Sequence, residues 1–365
     1  MRALIPWSVH KTAIQLLPFV VMAPASGWAA ASKGGGPEPL EIAMGLTAGL
    51  VLFLYGVSRL ALALKALATE PARRLLGKFT RNRFAGVLTG AAATTVLDSS
   101  SVTIIMVIAL VDAGLLSAIQ SLGVVLGSNI GTTFGAQLVA FQISKYAPVG
   151  LALGALLLAF GRSERWKHVG RMVFGMGLLF FGLELIEQTM EPFKDHAPFL
   201  RWMRELGANP LMGAAVGALF TLIIQSSSAT MAIIVTLASQ GLISLPTGVA
   251  IMLGAEIGTV ADTLIATIGR SRQAIRTGVF HFLFNLITAA LGLLCASRLV
   301  SLAQWVSGDA SVGRQLANAQ VIFNVLGVLL FIGFVPLIDR ALQVLLPERR
   351  TEAASPPVLS REQNA

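Results

Sequence analysis

Two serine triplets, Ser99-Ser100-Ser101 and Ser226-Ser227-Ser228, lie in the segments TTVLDSSSVT (94–103) and TLIIQSSSAT (221–230). A serine hydroxyl both donates and accepts, so such a cluster can face an anion or a cation. A single triplet in an apolar segment would be read as packing, its hydroxyls bonded back to the preceding turn. Two triplets separated by 127 positions, each inside an apolar segment, are read as a paired binding site.

A second pair of segments repeats at the same spacing: GSNIGTT (127–133) and GAEIGTV (254–260). Their glycines are expected to let an apolar helix unwind, exposing carbonyls. Those carbonyls, with Asn129, Thr132 and Thr259, would supply oxygen ligands for a hard cation such as sodium. Three acids, Asp98, Glu256 and Asp262, also fall inside apolar stretches. A charge at bilayer depth costs at least ~2.5 kcal/mol, so each is a functional candidate. They are expected to form one cluster that binds the coupling cation or a proton. Asp112 is read as interfacial, and Glu184 and Glu187 as reaching an interface. His281, Asn285 and Asn324 are read as bridges between helices.

These groups need elements that hold them at depth. The chain has 365 residues, of which 55% are hydrophobic and only 12% charged. Its mean hydropathy is +0.76. Soluble domains carry about 25% charged residues, so a lipid bilayer must solvate this surface. Residues 42–64, 172–190, 277–297 and 317–338 are apolar runs long enough to cross, or nearly cross, a core of ~30 Å. Lys and Arg concentrate in 69–85, 161–171, 269–276 and the tail, which the positive-inside rule assigns to the cytoplasm. The stretches 191–207 and 298–316 are mixed or weakly basic and fall outside. Residues 84–112 and 208–240 then begin and end on one side. Each is expected to be a re-entrant pair of half-helices with serines at its tip.

The 127-residue spacing also aligns Gly114-Leu115 with Gly241-Leu242, and Ser117 with Ser244. With one gap, Gly49 and Gly56 match Gly175 and Gly182. The charge pattern gives the copies opposite orientation. The expected fold is an all-α integral membrane protein of two inverted repeats, each with a re-entrant helical hairpin and a broken helix. That is a secondary-transporter architecture, with the site near the midplane.

Domain boundaries follow. Residues 1–31 read as a signal peptide or N-terminal membrane segment, because basic residues precede an apolar stretch that ends in small ones. Residues 32–41 are a linker, 42–168 repeat 1 and 169–297 repeat 2. Residues 298–340 hold a loop and the final membrane helix, and 341–365 a cytoplasmic tail. The expected location is the inner membrane, with the N-terminus outside and the C-terminus inside.

Other classes are disfavoured. The formal charge of +9 lies in short loops, as topology requires, so no nucleic acid partner is expected. The single cysteine, Cys295, allows no internal disulfide and no cysteine zinc site. No G-x-S-x-G, H-E-x-x-H or P-loop sequence occurs, so an enzyme or an ATP-driven pump is not expected, and no cofactor beyond a coupling ion.

The paired serine motifs, the paired G-x-N-I-G-T-T-like motifs and the closing F-N segments (HFLFN, QVIFN) resemble the bacterial sodium/phosphate cotransporter family, related to animal type II sodium-dependent phosphate cotransporters. The resemblance covers residues 42–338. It implies sodium-coupled movement of inorganic phosphate. It adds Gln225 to the serine triplets as substrate-binding residues, and Thr133 to Asn129, Thr132 and Thr259 on the cation side. The chain departs from the family pattern at Asp98 (usually Gln), Glu256 (usually Asn) and near Asp262 (usually Thr). All three changes introduce acids. They leave open a proton-coupled carrier of another solute, or a channel-like or non-transporting protein on the same scaffold.

Overall fold

The structure, a computed structural model, describes residues 39–80, 82–141 and 146–348. The leader 1–31, the linker up to residue 38, Arg81 and the tail from residue 349 lie outside the described residues. The described chain is all α-helical apart from short connections. In order, the helices are α1 (Pro39–Phe79), α2 (Arg83–Leu97), α3 (Ser100–Asp112), α4 (Ala118–Ala140), α5 (Ala147–Phe160) and α6 (Glu164–Met190). After a 3-10 turn, Glu191–Asp195, come α7 (Ala197–Ala208), α8 (Pro210–Ile224), α9 (Ser227–Ser239), α10 (Leu245–Gly258) and α11 (Ala261–Ile265). The chain closes with α12 (Arg272–Leu294), α13 (Ala296–Ser307), α14 (Val312–Ile332) and α15 (Val335–Leu345).

Among the described residues, six helical stretches are long and apolar enough to cross a membrane: Pro39–Leu67, Ala118–Ala140, Glu164–Asp195, Leu245–Ile265, Arg272–Leu294 and Val312–Ile332. A seventh arises if α7 and α8, which meet at 104°, count as one span. This is a multi-pass membrane protein. Large apolar side chains such as Leu88, Leu219, Ile223 and Leu329 remain exposed, as a lipid-facing surface requires. The buried core forms mainly around α9, α10 and α14 (Val235, Met252, Leu316) and around α3, α4 and α12 (Ile104, Val124, Phe280).

Boundaries differ from expectation at several points. α1 already includes Pro39 to Glu41, inside the expected linker. It runs on past Pro71 and takes Arg73, Arg74 and Lys78 into helix. The stretches 191–207 and 298–316 contain the helices α7 and α13. The last apolar run divides at Gly333-Phe334 into α14 and α15.

Both expected hairpins are present. α2 and α3 have 15 and 13 residues, ~22 and ~20 Å long, short of the ~30 Å core. α8 and α9 have the same two lengths. In the first hairpin the Thr94 hydroxyl donates to Thr103 Oγ1 at 2.9 Å. The hydroxyls of Thr221 and Thr230, at the same repeat positions, lie 2.8 Å apart. Side chains nine positions apart touch in this way only if the chain folds back at the tip.

Glycines let each hairpin lie against the following helix. A Cβ on Gly127 of α4 would overlap the Val87 carbonyl oxygen of α2, and one on Gly254 of α10 would overlap that of Ala214 of α8. Gly90 against Val124 and Gly217 against Ile251 repeat the relation in reverse. α1 and α6 cross antiparallel: a Cβ on Gly49 would sit 3.0 Å from the Gly182 carbonyl oxygen, and one on Gly56 would sit 2.8 Å from that of Gly175.

The expected break is found in only one repeat. α10 stops at Gly258, a turn covers Thr259 and Val260, and α11 follows. α4 runs unbroken through Gly127, Gly131 and Gly135. Its glycines serve close approach: a Cβ on Gly131 would sit 2.6 Å from the Ala91 carbonyl oxygen. The carbonyls of an intact helix stay inside its own hydrogen bonds, so α4 does not expose the oxygens expected of it.

Candidate functional site

The tips have matched backbone geometry. Asp98 (φ 49°, ψ 34°) and Gln225 (φ 58°, ψ 31°) end the first half-helices in the left-handed region, and among the described residues they are the only non-glycine residues with positive φ. That conformation is strained for a side-chain-bearing residue and concentrates at functional positions. Ser99 and Ser226, both extended, cap the second half-helices. The Ser99 hydroxyl accepts from Val102 N at 3.3 Å, and that of Ser226 from Ala229 N at 3.1 Å. Each cap leaves the next backbone N–H groups, on Ser100 and Ser101 and on Ser227 and Ser228, at the open end of a helix where anions are favoured.

The triplet members thus divide. Ser99 and Ser226 are engaged as caps. Ser100 and Ser227 are buried, and neither hydroxyl has a hydrogen-bond partner among the described residues. Ser101 is half-buried, with its side chain near that of Asp262. Ser228 is half-buried and Gln225 is exposed.

The cation-side residues are less uniform. Asn129 Nδ2 donates to the Val125 carbonyl at 2.9 Å, Thr132 to that of Asn129 at 2.7 Å, and Thr133 to that of Ile130 at 2.8 Å. These are back-bonds within α4, though each side-chain oxygen keeps acceptor capacity. Thr259 is buried in the break between α10 and α11.

The three acids stand on different partners. The Asp98 carboxylate lies over Gly135, where a Cβ would be 3.0 Å from Oδ1. Asp262 reaches Ser101, and its Oδ1 is buried with no partner. Glu256 accepts from Gln320 Nε2 and Asn324 Nδ2 of α14, both at 3.3 Å. Among the described residues no three His, Cys, Asp or Glu side chains gather where they could hold a metal ion. The expected single cluster of three acids is therefore not formed: Glu256 turns to α14, Asp262 lies near Ser101 of α3, and Asp98 lies over Gly135 of α4.

Of the expected interhelical bridges, two form. Asn324 reaches Glu256, and His281 Nδ1 lies 2.8 Å from the Thr263 hydroxyl. Asn285 instead donates to the His281 carbonyl of its own helix at 3.0 Å. Gln320 was not singled out from sequence. Its signal was its place four residues before Asn324, on the same face of α14.

Contacts between repeats link the tips to the rest. α9 of the second hairpin packs on α4 and α14, and α3 of the first packs on α11 and α12. Asp112, at the base of the first hairpin, pairs with Arg270 at 3.1 Å and accepts the Ser271 N–H at 2.8 Å. Arg83 donates to the Gly333 carbonyl at 3.3 Å, and Arg276 to that of Leu346 at 2.8 Å. These contacts gather the basic segments 69–85 and 269–276 with α15. The base of the second hairpin has other neighbours: Gln240 accepts from Lys194 at 2.8 Å and donates to Glu187. Thr247 donates to the Met203 carbonyl at 2.8 Å.

Helices of membrane-crossing length around two tips capped alike define a multi-pass membrane protein. The chain belongs to the Na+/Pi-cotransporter family, whose profile matches twice, over residues 52–188 and 195–333. It is 28% identical over 311 residues to "Uncharacterized protein YqeW" of Bacillus subtilis, covering 84% of this chain and 99% of that one. It is 24% identical over 312 residues to "Putative inorganic phosphate export protein YjbB" of Escherichia coli K12, covering 84% of this chain but 57% of that one. A shorter stretch of 131 residues, 33% of this chain and 19% of the other, is 28% identical to human "Sodium-dependent phosphate transport protein 2B". No solved structure matches the chain.

Proposed function

We propose that this protein is a secondary active transporter that moves inorganic phosphate, coupled to sodium, across the inner membrane by alternating access. The observation that carries the reading is the pair of matched tips, Asp98–Ser101 and Gln225–Ser228, within a family of phosphate cotransporters. Phosphate would be met by the free N–H groups and hydroxyls of Ser100, Ser101, Ser227 and Ser228, with Gln225 as a further donor. Ser99 and Ser226 fix the geometry and can donate their hydroxyl protons.

Two inverted repeats, 42–168 and 169–297, are proposed as the frame. Their support is the 127-position correspondence of tip hydrogen bonds and glycine contacts, the antiparallel α1–α6 pair, and the separate neighbourhoods of the two hairpin bases. The basic neighbourhood would be cytoplasmic. Asp98, Asn129, Thr132, Thr133, Glu256, Thr259 and Asp262 are proposed cation ligands, acting in more than one place.

A second reading, proton coupling, is favoured by one observation: Glu256 is buried without a basic partner. Proteoliposomes decide between them. Labelled phosphate should accumulate above its equilibrium level when a sodium gradient is imposed, and the accumulation should collapse when that gradient is dissipated. Accumulation driven by a pH gradient alone would select the proton reading. Flux that only equilibrates, indifferent to both gradients, would overturn the carrier reading.

A further inference from the structure

Glu256 lies about 18 Å along α10 from Ser244, and Asn324 about 18 Å along α14 from Val312, at 1.5 Å per residue. Both are therefore deep within a ~30 Å core. Glu256 is 2% exposed and has no ion pair among the described residues. Two amide N–H groups at 3.3 Å are its recorded donors. Long bonds to neutral amides do not offset a buried carboxylate charge at that depth.

Beside it is a second uncompensated group. Gln320 is 1% exposed, and its Oε1 is buried with no hydrogen-bond partner. Its Nε2 is bonded to Glu256, so the amide that carries the bare carbonyl oxygen lies beside the carboxylate. A negative group and an orphaned oxygen acceptor side by side both call for positive charge. One cation between them satisfies both.

We propose that Glu256 and Gln320 Oε1 bind a monovalent alkali cation, with Asn324 orienting the carboxylate, so that α14 carries part of the coupling-ion site. All the donors are oxygens, which suits a hard cation, and the single formal charge suits a monovalent one. The site occurs once. At the equivalent position of the first repeat, Asn129 is neutral and bonds back to Val125. This assignment rests on the sodium-coupled reading and adds to it the residues that select the ion.

The test uses purified full-length protein without phosphate, with labelled sodium binding and thermal stabilisation by sodium chloride read against choline chloride. Sodium should bind and stabilise the wild type. Glu256→Gln should abolish the response while melting cooperatively in choline, and Gln320→Leu should raise the half-maximal sodium concentration about tenfold or more. An unchanged sodium response in both variants overturns the site. A wild type indifferent to sodium also overturns it, and phosphate flux driven by a pH gradient would then leave the carrier reading standing. Sodium binding lost in Glu256→Gln, in a protein that moves no phosphate, would support the site and overturn the carrier reading.

Discussion

The serines within one triplet do different work, and that difference makes them testable one at a time. Ser99 and Ser226 are caps, so alanine there would cost about 1 kcal/mol of stability whatever the substrate. Ser100 and Ser227 cap nothing, and their hydroxyls have no partner among the described residues. Alanine at Ser100 or Ser227 should therefore leave folding intact. Loss of one hydrogen bond to a charged ligand costs about 1.5–3 kcal/mol, so the KM for phosphate should rise roughly ten- to hundredfold. Phosphate uptake at limiting concentration is the measurement. Normal uptake in either variant removes that triplet from the site. The triplets were legible in sequence because residue type and repeat spacing coincide. The partnership of Glu256 with Gln320 was not, since 64 positions of chain separate them and neither lies in a motif with the other.

Among the elements, the glycines decide how each hairpin seats. Sequence reasoning took GSNIGTT and GAEIGTV as places where a helix unwinds. The structure keeps α4 whole and uses the same glycines to bring backbones together. Glycine lowers helix propensity by up to about 1 kcal/mol, but close backbone packing between membrane helices overrides so small a preference. Gly127→Ala and Gly254→Ala each drive a methyl into a carbonyl of the first half-helix of the hairpin, Val87 of α2 and Ala214 of α8. Each should destabilise by about 1–3 kcal/mol. The thermal unfolding temperature in detergent should fall, and a doubled change would follow from combining them, since the two contacts lie in different repeats. Gly77→Ala is the control, because a Cβ there meets nothing within 4 Å. Equal stability of Gly254→Ala and the control would show that the α8–α10 contact is looser than described.

For the whole molecule, the arrangement of the two hairpins makes a prediction about sidedness. The base of the first is tied to Arg270 and Ser271, and that of the second to Lys194 and Glu187. If these are opposite faces of the membrane, a single cysteine at Lys78 should resist an impermeant thiol reagent in whole cells. One at Asp195 should be labelled. A Cys295→Ala background is needed, because Cys295 is exposed. Labelling at both positions, or at neither, would place the hairpins on one side and remove the inverted frame on which alternating access depends.

Sequence alone determined the membrane class, the two helical hairpins, their serine tips and the family. Each rests on information written locally: hydropathy over ~20 residues, half-length segments, and a motif repeated at constant spacing. Tertiary structure decided which glycines unwind and which pack, because that depends on whether another backbone stands opposite. It also decided that the three acids do not gather in one cluster. A carboxylate's partners are set by the helices folded around it, so Asp98 lies over Gly135, Asp262 turns to Ser101, and Glu256 joins Gln320 and Asn324. Burial and hydrogen bonding are properties of the assembled bundle, and no linear pattern of residues records them.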